Sequence, residues 1–99
     1  MPKGYWIPHL DVSNPEGFQA YRDMADAAHK RFDSKLLVRG GRREVVEGKV
    51  RARTVVLEFP SYRVALDCYR SEDYQAAAAL RKGKAEFDLF IIEGCDPQS

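Results

Sequence analysis

Read for its alternation of apolar and polar positions, the chain opens with a stretch rich in aromatic and aliphatic residues, Lys3 to Val12. It closes in the turn-forming run Ser13-Asn14-Pro15, which predicts a strand. Asn14 is a good helix N-cap and Pro15 a good first helical residue, with Glu16 placed to meet the positive end of the helix dipole. Beyond them Phe18, Tyr21, Ala25, Ala28 and Phe32 recur at spacings of three and four, while Arg22, Asp23, Asp26 and Lys30 fall on other faces. That is the single apolar stripe of an amphipathic helix facing a core.

Lys35 to Arg39 predicts a short second strand, cut by Gly40-Gly41. Glu44 to Glu47 is expected to extend it as a bulged or hairpin continuation before Gly48. Arg53 to Phe59 contains Thr54-Val55-Val56-Leu57, strongly β-prone and apolar on both faces, the pattern of a central strand. Pro60 ends it and Ser61 caps a helix through Ala65, Leu66, Cys68 and Tyr69. Ser71 is a second cap, followed by Glu72, Asp73 and the helix-prone run Gln75 to Leu80, so this helix is expected in two pieces. Glu86 to Gly94, with Leu89-Phe90-Ile91-Ile92, completes the set as a buried strand.

The order is strand, helix, strand, strand, helix, strand. Two right-handed crossovers of this kind most simply give an α+β, ferredoxin-like βαββαβ domain, a four-stranded antiparallel sheet with its helices on one face. One such domain over residues 3–94 is expected, with a polar C-terminal tail at 95–99. Helices on one face leave the other bare. Thr54, Val56 and Glu58 alternate with Val55, Leu57 and Phe59, and Leu89 and Ile91 with Phe90 and Ile92, so a lone subunit would wet one apolar set. A homodimer associating sheet to sheet is therefore expected.

Length agrees with this organisation. At 99 residues the chain holds one core, and a domain of this size buries only about 60–70% of its unfolded surface, so a second subunit would help. Hydrophobic residues make up 44% and charged residues 31%, which excludes a largely disordered chain. The net charge of +1 gives no general attraction to nucleic acid or to anionic membranes. A local basic run, Arg39, Arg42, Arg43, Lys49, Arg51 and Arg53 against Glu44 and Glu47, reads first as a solvated hairpin and second as a phosphate site. No apolar stretch approaches the roughly 20 residues that span a bilayer, and Met1 to Gly4 carries no signal-peptide core, so a cytoplasmic location is expected. Cys68 and Cys95 then read as free thiols.

Catalytic signatures are absent: no GxSxG, no Walker loop, no HExxH, and Gly40-Gly41 is not part of a GxGxxG. His9 and His29 lack metal-ligand spacing and the cysteines are dispersed, so no metal and no cofactor are expected. His9 and Asp11 share one face of the first strand with Tyr5 and Ile7. They are candidates for an acid–base pair, the alternative being that Asp11 bonds turn amides at a strand end. Cys68 reads as a small core residue and Trp6 as a packing residue.

Several short runs occur in order at compatible spacing: Lys3-Gly4-Tyr5-Trp6, Asn14-Pro15-Glu16, Leu37-Val38-Arg39-Gly40-Gly41, Glu47-Gly48, Glu58-Phe59-Pro60-Ser61, Tyr69-Arg70-Ser71, Tyr74-Gln75, Leu80-Arg81 and Glu93-Gly94. Together they resemble the bacterial domain of unknown function 1330, from Lys3 to Gly94. The resemblance implies a ferredoxin-like subunit of the dimeric α+β-barrel superfamily, which includes cofactor-free monooxygenases, small-molecule isomerases, haem-binding or haem-degrading proteins and stress-responsive proteins. It supplies no catalytic residues. Cys68 stands where the family implies a bulkier aromatic, which would enlarge a nearby pocket.

Two functions lead: a cofactor-free enzyme or binder acting on a carboxylate, phenolic or enolizable small molecule, or a dimeric interaction module without chemistry. RNA binding is disfavoured, because Arg53 to Phe59 lacks the paired stacking aromatics of an RNP motif. For the first function the expected polar lining is Arg39, Ser71, Tyr74 and Arg81. Arg39 leads into glycines where the backbone can approach a ligand, Ser71 opens a helical turn with free amides, and Tyr74 and Arg81 share a helix face. The alternative is that the arginines bridge to carboxylates and Ser71 only caps a helix.

Overall fold

A computed structural model describes residues 2–95. Its elements are β1 (Gly4–Val12), α1 (Pro15–Arg31), β2 (Lys35–Arg39), β3 (Arg53–Phe59), α2 (Tyr62–Arg70), α3 (Glu72–Leu80) and β4 (Ala85–Glu93). The strands form one antiparallel sheet in the order β2-β3-β1-β4, so β1 and β3 are central. This is the ferredoxin-like βαββαβ fold, with its second helix divided.

The local causes are those the sequence carries. Asn14 accepts a hydrogen bond from the amide of Gly17 and starts α1. Ser61 caps α2 through the Val64 amide. Ser71 has extended backbone, which breaks the helix. Its hydroxyl accepts from the Tyr74 amide at 3.2 Å and donates to the Cys68 carbonyl at 2.6 Å, so one side chain closes α2 and opens α3.

Alternation along β1 sends Trp6, Pro8 and Leu10 toward the helices and Tyr5, Ile7, His9 and Asp11 to the opposite face. Register with β3 sets Trp6 beside Leu57 and Gly4 beside Phe59. The core is built from these with Phe18, Tyr21, Ala25 and Ala28 of α1 and Ala65, Cys68, Tyr74 and Ala77 of α2 and α3. Gly4 is buried, and a Cβ there would come within 2.5 Å of the Ser61 carbonyl oxygen, so only glycine lets α2 begin this close to the sheet.

One expectation fails. Glu44 to Glu47 forms no strand, and residues 40–52 carry no regular structure. Gly40, at φ +57°, turns the chain away after its amide donates to the Thr54 carbonyl, and Val45 and Val46 are left exposed with no strand or core beside them to hold the segment extended. The irregularity in β2 lies earlier, as a register shift between Leu36 and Val38. Part of the expected polar tail, residues 96–99, lies outside the described residues. No helix among the described residues is long and apolar enough to cross a membrane.

Candidate functional site

The three helices are not equally close to the sheet. α2 lies over β1, β3 and β4, whereas α1 packs chiefly against α3 and its backbone stays further from the strands. The space left between α1 and the sheet is a cavity of about 70 Å³, several times the ~10–15 Å³ that one water needs. Trp6 and Leu10 of β1, Phe18 and Tyr21 of α1, Leu57 of β3 and Phe87 of β4 make its apolar wall. Arg22, Asp26, Arg39 and Arg53 supply its charged groups.

His29 is the one polar side chain buried in that wall, 8% exposed, and its Nε2 has no hydrogen-bond partner. Burial pushes its pKa down from the ordinary 6.5 to about 4, with Asp26 opposing that shift and Arg39 adding to it. At neutral pH the ring is therefore uncharged, with one nitrogen carrying a free lone pair. The indole of Trp6 packs edge-on against it at 4.8 Å and the Tyr74 ring stacks at 5.9 Å. Trp6 is itself fixed by an Nε1 hydrogen bond to the Ala65 carbonyl, 2.9 Å long.

The residues expected from sequence fall in three places. Arg39 lines the cavity and pairs with Asp26 at 3.1 Å. Ser71, Tyr74 and Arg81 are not among the lining residues. Ser71 is occupied by the two caps, and Tyr74 is fully buried with its hydroxyl 2.9 Å from that of Tyr21. Arg81 lies over the Phe87 ring at 4.1 Å and the Tyr21 ring at 5.6 Å, so it braces two wall residues from behind. Thus Tyr74 and Arg81 do come together, through Tyr21, while Arg39 stands apart from them.

His9 and Asp11 share the helix-free face and line one shallow depression with Arg51 and Asp88, but they bond elsewhere. His9 Nδ1 is 3.3 Å from the Thr54 hydroxyl. Asp11 accepts from the Ala52 amide at 2.7 Å and from Arg51 at 2.9 Å, which together hold its carboxyl below the usual range. Arg51 also pairs with Glu86 and Asp88, so the basic run is in part a clasp tying the 40–52 connection to the sheet edge. Cys68 is a buried free thiol, its pKa raised to about 12 by burial, and does not line the cavity. Among the described residues no three His, Cys, Asp or Glu side chains gather as a metal site.

His29 carries no motif, and by sequence only its spacing from other candidate metal ligands draws attention to it. The usable signal was its position four residues after Ala25, on the edge of the apolar stripe of α1.

Residues 3–95 match the family model described as Domain of unknown function (DUF1330). No curated protein matches the chain. Among solved structures, a protein of unknown function from Rhodopseudomonas palustris is 14% identical with a TM-score of 0.75, over 97% of this chain and 85% of that one. A cofactor-independent oxygenase from Streptomyces nogalater is 8% identical with a TM-score of 0.68, over 97% and 96%. A dimeric protein of unknown function with a ferredoxin-like fold, from Bacteroides fragilis, is 9% identical with a TM-score of 0.60, over 92% and 95%. At these identities the likeness is one of fold.

Proposed function

The chain belongs to the DUF1330 family, and from its cavity we propose a cofactor-free, homodimeric protein that binds a small enolizable or phenolic carboxylate and uses His29 as general base. The carrying observation is the free Nε2 of a neutral, buried imidazole in an apolar cavity rimmed by arginines. In its Nδ1–H form such a base carries an unshared lone pair on Nε2 at neutral pH, and the apolar wall strengthens each charge interaction at the reacting atom. Nε2 takes the proton from a carbon beside a carbonyl, and the electron pair of that C–H bond becomes an enolate facing the arginines. Return of the proton to the same or a conjugated carbon gives exchange or isomerisation with no redox partner. An electron-rich enolate is also in keeping with the cofactor-independent oxygenase that shares the fold.

The homodimer is supported by the helix-free face, where Phe90 and Ile92 are each 48% exposed beside Ile7 and Val56. Two unpaired cysteines fit a cytoplasmic setting. The second reading, a dimeric interaction module without chemistry, is favoured only if the cavity takes no ligand.

Proton exchange separates the two. Small 2-oxo acids and phenylpyruvate, incubated in D2O with the protein, are expected to lose the signals of the C3 protons beside their keto group faster than in buffer, and His29→Gln to remove the acceleration. Equal rates with parent, variant and buffer across the panel would leave the interaction module.

A further inference from the structure

The cavity has a neighbour. On the other side of the α1–β2 junction an open depression of about 260 Å³ is walled by Asp26, His29, Arg39 and Leu57, all four of which also wall the cavity, together with Lys30 and Ser34. The Asp26–Arg39 ion pair belongs to both walls, and no other side-chain hydrogen bond joins α1 to β2 among the described residues. Both partners are more than two-fifths exposed, 43% and 42%, so the pair is a weak one.

The charges around the two spaces are unequal: Arg22, Lys30, Arg39 and Arg53 against Asp26. Neither Arg22 nor Arg53 makes an ion pair among the described residues. An anion arriving in the outer depression meets Lys30 and Arg39 against Asp26, with Arg22 and Arg53 further in on the cavity wall, and a guanidinium whose fork fits a carboxylate in two hydrogen bonds. Asp26 loses little by yielding Arg39, since it stays in water and Lys30 follows it by four residues on the same helix face.

Resting on the reading of the cavity as a ligand site, we propose that Arg39 is its carboxylate-binding residue and that the Asp26–Arg39 pair is a latch, opened when a ligand carboxylate replaces Asp26. The ligand class is a monocarboxylate on a flat apolar body. A benzene-sized body needs about 150 Å³, more than the 70 Å³ that the cavity holds. It would therefore reach from Trp6 and Leu57 into the adjoining depression, with its carboxylate on Arg39 at the α1–β2 junction and, in a 2-oxo acid, the proton-bearing carbon beside the keto group near His29.

Trp6 is the only tryptophan of the chain and walls the cavity, so its fluorescence reports entry. Benzoate and its uncharged analogue benzamide are titrated into the parent, Asp26→Asn and Arg39→Gln, each checked for folding by circular dichroism. The expected result is benzoate at least about tenfold tighter than benzamide on the parent. Asp26→Asn should bind benzoate tighter still and leave benzamide unchanged, and Arg39→Gln should bind the two alike. Equal binding of both compounds to the parent, or benzoate binding unmoved by the two substitutions, would overturn the latch while leaving the cavity a ligand site. Failure of both compounds to reach Trp6 in any of the three proteins would overturn the cavity reading and the latch with it.

Discussion

The imidazole of His29 and the indole of Trp6 meet edge to face, 4.8 Å apart at 86°, in the wall of the cavity. Each holds the other: the indole is pinned by its hydrogen bond to α2, and the imidazole is kept dry by the indole. A cation in that place would lack water and face Arg39, which is why the ring stays neutral.

That neutrality makes folding stability depend on pH. His29 has a folded pKa near 4 against 6.5 unfolded, so the unfolded chain binds the extra proton. Its contribution is complete above pH 6.5 and is lost as pH falls toward 4, by about 3 kcal/mol in all. Urea denaturation from pH 7.5 to 4 should show that loss, and His29→Phe should flatten the part of the slope that carboxylate titration does not explain. An unchanged slope in the variant would mean that His29 is not buried uncharged.

Behind the cavity wall, the hydroxyls of Tyr21 and Tyr74 satisfy each other at 2.9 Å in a buried setting. Tyr74→Phe leaves the Tyr21 hydroxyl without this partner, at a cost of about 1–3 kcal/mol. The double variant Tyr21→Phe/Tyr74→Phe should cost less than the two single changes added together. Simple additivity in denaturation midpoints would contradict the pair.

Gly4 is a test of packing alone. A methyl group there collides with the backbone of Ser61 and Tyr62, at 2.5 and 2.6 Å, where no side chain can swing aside. Gly4→Ala should lower stability by about 1–3 kcal/mol, as overpacking does. A thermal midpoint equal to the parent's would show that α2 has room to move.

For the proposed dimer, light scattering at micromolar concentration should give twice the 11.3 kDa chain mass. Ile92→Glu, on the helix-free face, should lower it toward one chain. A parent protein that already weighs one chain would remove the sheet-to-sheet pairing.

The fold was largely legible because its local signals agree with one another. Asn14-Pro15, Ser61 and Ser71 cap the helices that the apolar spacing predicts, and the period-two runs at Gly4–Val12, Arg53–Phe59 and Ala85–Glu93 became strands. Glu44 to Glu47 misled because propensity without a facing partner does not make a strand. The site was less legible because its residues come from separate elements: Trp6 from β1, His29 from α1, Arg39 from β2. The helix face shared by Tyr74 and Arg81 was readable, but which of its residues reach the cavity depends on where α1 sits over the sheet. His29 has no motif, and its chemistry arises only from the dryness that tertiary packing supplies.

A crystal structure of the protein with phenylpyruvate tests the central claim most directly, that the space between α1 and the sheet is where this protein meets its ligand. The expected result is density in that cavity, with the ring on Trp6, the carboxylate on Arg39 and the methylene carbon about 3–3.5 Å from His29 Nε2. Density on the helix-free face instead, or a bound molecule that leaves His29 Nε2 untouched, would contradict it.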